Sequence, residues 1–239
     1  IPQSGVAKFT GWGNYDQSKT LVIEIGNPEI NSSTQFSGNM YWSTYMGLNT
    51  GNGGMANQIT KDNSENTYMI GWSSAQTFPG TGVSVFQPMG HINSRDAVIV
   101  KMNPTGNPST HSNIEWSTFY GGTNDGIGFG IAINNTSNDV WIVGAANNGL
   151  VIPSSTSNLH HTWAGNYDGF IARFSNAGDQ LRYASYIGGS EDDMALCISI
   201  NQNDQSVYVG GSTASNSASS TPFQDLLSST HSNSYNQSH

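Results

Sequence analysis

The stretch WSTFYGG, residues 116–122, reads as a short strand that stops at two glycines. A close copy stands upstream as WSTYMG from Trp42, and another downstream as YASYIGG from Tyr183. Their first residues lie 74 and 67 positions apart. On a strand, Trp116, Thr118 and Tyr120 point one way while Ser117 and Phe119 point the other. Large side chains stand on both sides, so both faces are made to be covered. The Gly-Gly ending reads as a tight turn that uses left-handed backbone and close approach.

Other segments keep the same period. TYMIGW, VWIVGA and VYVGGS place Gly71, Gly144 and Gly211 at spacings of 73 and 67. DAVIVKM from Asp96 and DGFIARF from Asp168 are 72 apart. A weaker set is NQIT at Asn57, FGIAIN at Phe129 and LCISIN at Leu196. A degraded copy of the Asp strand is TLVIEIGNP, in which Thr20 takes the Asp position and Asn27-Pro28 matches Asn103-Pro104. Even the preceding loop recurs, as WGNYD at Trp12 and WAGNYD at Trp163. Repetition at a fixed period outranks every other sequence signal.

Each unit reads as four short strands: the Asp strand, the Trp-Ser-Thr strand, the Gly-Ile-Ala strand and the Val-Tyr-Val-Gly strand. Spacing groups them as 20–76, 96–150 and 168–215, with long Ser/Asn/Pro/Gly loops at 77–95, 151–167 and 216–239. No segment keeps a 3.6-residue period over three turns, so helix is expected to be minor. Runs such as AVIVKM and VWIVG are nearly continuous in apolar residues, as strands buried on both faces are. The expected fold is all-β. Four-stranded antiparallel blades repeated radially give a β-propeller, with about three blades in this chain.

The ordered motifs W-S-T-[FY]-x-G-G, G-I-A-[IV]-[ND], V-[WY]-[IV]-x-G and D-[AG]-[FV]-[IV]-[AV]-[KR] resemble the SBBP-type β-propeller repeat. The resemblance runs from about Thr20 to Gln224. It implies a piece of a large bacterial exported or cell-surface protein, with no assigned catalytic residues. The first copy departs from it: Gly47-Leu48 replaces Gly-Gly, and NQITKD is a poor Gly-Ile-Ala strand. Closed propellers have four to eight blades. Three blades therefore call for further blades of a longer chain or a ring completed by a partner protein.

Only 10% of the 239 residues are charged, and the net charge is −9. Asn and Ser together outnumber all charged residues. No Lys/Arg cluster offers the footprint of a nucleic-acid binder. No apolar run approaches the roughly 20 residues of a membrane-spanning helix. The single cysteine, Cys197, sits in MALCISI and reads as a buried small hydrophobe. The polarity suits a secreted or surface location.

Every site candidate competes with a structural role. Glu191-Asp192-Asp193 follows Gly188-Gly189, and Asp125 takes the similar place one unit earlier. These carboxylates are weak calcium candidates, lacking D-x-D-x-D-G spacing, and capping of turns is the stronger reading. His160-His161 lacks a third ligand at metal spacing. No G-x-S-x-G elbow and no cofactor motif is present. Trp72, Phe78, Phe86 and Trp163 lie in or near the long loops, where they plug blade edges or stack on a surface glycan. Sequons at Asn31, Asn134, Asn135 and Asn236 follow from the Asn/Ser/Thr content. The expected function is a non-catalytic scaffold or binding module. The alternative is a polysaccharide-active enzyme using Asp125, Glu191 and Asp192, or a lectin-like binder.

Overall fold

The computed structural model describes residues 53–80, 84–103, 105, 113–153 and 162–215, with the strand backbone of 20–25, 29–30, 36–37 and 40–46. These residues form fourteen strands and no helix. In chain order they are β1 (Thr20–Ile25), β2 (Glu29–Ile30), β3 (Phe36–Ser37), β4 (Met40–Met46), β5 (Gly54–Lys61), β6 (Thr67–Ser73) and β7 (Asp96–Met102). There follow β8 (Ile114–Tyr120), β9 (Gly126–Ile133), β10 (Val140–Ala146), β11 (Asp168–Phe174), β12 (Leu181–Ile187), β13 (Asp193–Ile200) and β14 (Val207–Thr213).

Two antiparallel four-stranded sheets are present, β5-β6-β7-β8 and β9-β10-β11-β12, each in simple meander order. β13 and β14 pair as a third sheet, and β1 pairs with β4. The order corrects the grouping drawn from spacing. Residues 96–150 do not share one sheet: β7 and β8 complete one, while β9 and β10 begin the next. The long segments 77–95 and 151–167 join neighbouring strands of one sheet. The chain passes between sheets at the short Gly-Gly links instead.

The sheets stack face to face. β9 lies against β5, β6 and β7, and β13 lies against β9, β10 and β11. Tyr68, Ile70, Ala97, Ile99, Trp116 and Tyr120 from the first sheet meet Ile131, Ile142, Phe170, Phe174 and Tyr186 from the second. Ala132, Val143 and Ile171 on the opposite face of the second sheet meet Ala195, Ile198 and Ile200 of the third. Sandwiching explains the continuous apolar runs. All seven residues of β7 are buried, whereas β13 alternates. Trp116 and Tyr120 face the following sheet, and Phe119 faces the other way with Val98 and Val100. Their equivalents Tyr183 and Ile187 again face the following sheet. Trp42 lies on β4 opposite Glu24.

The alternation of β13 overturns one expectation. Cys197 is exposed, not buried. It stands on the face turned away from the second sheet, with Met194 and Leu196, and among the described residues no further sheet covers that face.

The marker glycines have one cause. In all three sheets the first strand carries a β-bulge opposite the second: between Ala56 and Gln58, between Gly128 and Gly130, and between Ala195 and Cys197. The bulge turns a carbonyl inward. A Cβ on Gly71 would overlap the Met55 oxygen, one on Gly144 the Ile127 oxygen, and one on Gly211 the Met194 oxygen. Only glycine leaves room for that close approach.

Candidate functional site

The sequence candidates gather at one end of the sheets. Asp96, Asp168 and Asp193 open their strands there, and Tyr120 and Ile187 close theirs before the Gly-Gly links. Among the described glycines positive φ occurs at Gly80, Gly149 and Gly178 and not at the Gly-Gly links, so the expected left-handed turn there is absent. The glycines instead receive a carboxylate. A Cβ on Gly121 would overlap Asp96 Oδ1. A Cβ on Gly188 would lie 2.8 Å from both Asp168 Oδ1 and Asp193 Oδ2. The Asp strand and the Gly-Gly strand are thus two halves of one packing device.

Asp96 is fully buried. Its Oδ2 accepts the His91 backbone N–H at 2.5 Å, and His91 Nδ1 lies 3.2 Å from the same oxygen. Burial pushes its carboxyl up, and the bond and charge of His91 oppose that rise.

Asp125 is the centre of a tie between the two sheets. Its Oδ1 accepts the Arg95 N–H at 2.8 Å, and its Oδ2 accepts Arg95 Nε at 3.0 Å and Nη2 at 2.5 Å. Tyr167 donates to the same Oδ2 at 3.1 Å. The Arg95 bond holds the Asp125 carboxyl below its usual range. The Arg95 guanidinium also lies 5.6 Å from the Trp72 ring centre. One unit later Asp192 repeats the backbone part of this tie: its Oδ1 accepts the Tyr167 N–H at 3.3 Å. Asp125 and Asp192 therefore cap the turn before an Asp strand. Glu191 and Asp192 are exposed, and Asp193 is buried. Asp125 and Asp192 both bond Tyr167, on its hydroxyl and its N–H.

Asp168 and Asp193 are each about 1% exposed. Asp168 Oδ2 accepts the Ala164 N–H at 2.8 Å. Asp193 Oδ2 accepts the Gly189 N–H at 2.7 Å and the Ser215 hydroxyl at 2.9 Å. The Oδ1 atoms of both have no hydrogen-bond partner. Burial, reinforced by Asp193 and Asp192 nearby, pushes the Asp168 carboxyl up to about 6.

The loop aromatics are packed. Phe78 is buried edge-on to Phe119, with ring centres 6.5 Å apart. Phe86 and Trp163 lie partly buried against the core between the first two sheets. Trp163 Nε1 donates to the Asn166 carbonyl at 3.3 Å. Trp72 is a residue of β6. His160-His161 and the sequons at Asn31 and Asn236 lie outside the described residues.

Sequence reading missed two polar centres, one between the first two sheets and one within the second. Asn176 accepts Lys101 Nζ on its Oδ1 at 2.6 Å and Trp116 Nε1 on its backbone oxygen at 2.9 Å. It also donates to Tyr68 Oη at 3.3 Å, so one turn residue of the second sheet holds three strands of the first. At the far end buried Asp139 takes Arg173 Nε at 2.6 Å and an ion pair from Arg182. Neither centre carries a motif. The one available signal was that Lys101 and Arg173 occupy the same place in two Asp strands.

Among the described residues no three His, Cys, Asp or Glu side chains group as a metal centre. No helix among them is long and apolar enough to cross a membrane. The chain matches no protein-family model, and no curated protein aligns with it significantly.

Proposed function

We propose that this chain is a non-catalytic β-propeller scaffold or binding module of a large exported bacterial surface protein. The observation that carries the reading is where its ionisable side chains go. Asp125 is tied to Arg95, Asp139 to Arg173 and Arg182, Lys101 to Glu115, and Asp96 to His91. Each pair joins strands or turns. Repeated sheets that stack through the same bulge, glycine and Asp devices support a radial blade arrangement. Their resemblance to SBBP-type repeats supports the exported location. Further blades of the same chain, or a partner protein, would cover the outer face of β13 and β14, and a surface glycan is the ligand class to test.

The test uses cells that make the native polypeptide. Proteinase K added to intact cells is expected to remove it while cytoplasmic markers survive. Full protection until lysis would overturn the surface assignment. The chain is also expected to release no new reducing ends from a panel of surface polysaccharides. Release that disappears in Asp192→Asn would replace the scaffold reading by the hydrolase.

A further inference from the structure

Five carboxylates of the described residues are more than nine-tenths buried: Asp62, Asp96, Asp139, Asp168 and Asp193. Burying a charge demands compensation. Asp62 accepts the Ser64 and Asn66 N–H groups, the Asn66 amide and the Tyr68 hydroxyl. Asp96 has His91, and Asp139 has two arginines. Asp168 and Asp193 have no histidine or arginine partner, and their hydrogen bonds from Ala164, Gly189 and Ser215 all fall on Oδ2. The charged groups acting on Asp168 are Asp193 and Asp192, both of its own sign.

The repeat sharpens the contrast. Counting back five residues from the strand Asp gives His91 in one unit and Trp163 in the next. The residue opening the following sheet is Gly126 in one and Asp193 in the next. The first junction therefore has one acid with a histidine beside it. The second has lost that neighbour and gained a second acid. Acceptors also crowd there: the point where a Gly165 Cβ would sit is 2.8 Å from Asp168 Oδ1, 2.9 Å from the Gly189 carbonyl oxygen, and closer still to that of Glu191.

We propose that this junction is a divalent-cation site of the calcium class, held by Asp168 and Asp193 with main-chain carbonyl oxygens of the 189–191 turn. The unpartnered, buried Oδ1 atoms of both acids are the primary ligands. Two side-chain ligands do not suffice for zinc, which takes three or four from nitrogen and sulfur as well as oxygen. Calcium accepts carboxylates, backbone carbonyls and water in irregular geometry, whereas magnesium demands a near-ideal octahedron. The cation would stand against Asp168 where His91 stands against Asp96 one unit earlier. It would also tie β11, the Gly-Gly link and β13 together, so its binding reports on sheet stacking.

The experiment is a titration of the whole chelator-treated chain with CaCl2, MgCl2 or TbCl3 at pH 7.5, read by calorimetry, terbium luminescence and thermal unfolding. One Ca2+ per chain is expected, with a Kd below about 1 mM and a rise in Tm that MgCl2 does not match. Asp168→Asn and Asp193→Asn should each weaken binding at least tenfold, while Asp204→Asn, an exposed acid elsewhere, should bind as the parent does. If an Asn variant does not fold, Asp193→Ser replaces it, keeping an acceptor for Gly189 and Ser215 without the charge. Absence of Ca2+ and Tb3+ uptake by the parent chain up to several millimolar overturns the proposal. Unchanged binding in the Asp168 and Asp193 variants overturns it too. A parent chain whose Tm ignores calcium but falls as pH rises from about 4 through about 6 overturns it as well, and means that Asp168 holds a proton instead.

Discussion

Replacing Gly144 by alanine tests the reason given for the marker glycines. Gly144 sits on β10 opposite the bulge of β9. An added Cβ would overlap the Ile127 carbonyl oxygen and approach two ring carbons of Phe170 at 2.6 Å. Phe170 is fully buried between two sheets and cannot swing away. The strand must move instead, which breaks ladder geometry at the bulge. Overpacking costs about 1–3 kcal/mol. One weakened hydrogen bond adds about 1 kcal/mol. The lower entropy of unfolded alanine returns about 0.4–1 kcal/mol. The net loss is about 2 kcal/mol, equivalent to a Tm drop of about 4–8 °C in a chain of this size. The control is Gly126→Ala on β9, where the nearest atom to the new Cβ lies at 3.6 Å and φ is not positive. That variant should stay within about 1 kcal/mol of the parent. Urea unfolding followed by tryptophan fluorescence reads both. A loss below about 1 kcal/mol at Gly144, or equal losses at the two positions, would refute the bulge argument.

Other consequences follow from the same geometry. Asp139→Ala leaves Arg173 and Arg182 without their shared acceptor; both arginines are over a third exposed, so the loss should be about 2 kcal/mol rather than the full buried-pair value. Urea midpoints measure it. In calcium-free buffer the raised Asp168 carboxyl makes folding take up a proton between about pH 4, its unfolded value, and about 6. Stability therefore falls as pH rises through that window and levels off above it, by on the order of 3 kcal/mol. Asp168→Asn should flatten this part of the pH profile. Gln58 Oε1 accepts the Ile131 N–H across the first two sheets at 2.7 Å. Gln58→Ala should cost about 1–2 kcal/mol by leaving that N–H unpaired, and faster amide exchange at Ile131 checks it. Gly121→Ala and Asp96→Ala should be strongly non-additive, because the second removes the oxygen that the first collides with.

The candidate site was legible in part. That Asp125 and Asp192 are equivalent followed from their place after Gly-Gly, and both do accept the N–H of the residue before an Asp strand. The Asp96–Gly121 and Asp168–Gly188 couplings were not legible, because their partners stand 25 and 20 residues apart with nothing local to link them. Nor did any local pattern expose the Asp168–Asp193 pair, since one acid opens β11 and the other opens a strand of the next sheet.

The repeat period by itself determined the recurring strands, their order along the chain and, for β6, β7, β10 and β11, their two covered faces. A residue buried on both sides of a stacked sheet must be apolar wherever the strand recurs, so packing writes itself into periodicity. The tertiary structure alone decided where one sheet ends and the next begins. Loop length pointed the wrong way, toward breaks at 77–95 and 151–167. Closing a long loop costs little more than closing a short one, so a long excursion can still return its chain to the neighbouring strand. The sheet boundary falls at Gly121 and Gly188, where a carboxylate from another strand needs the space of a missing Cβ.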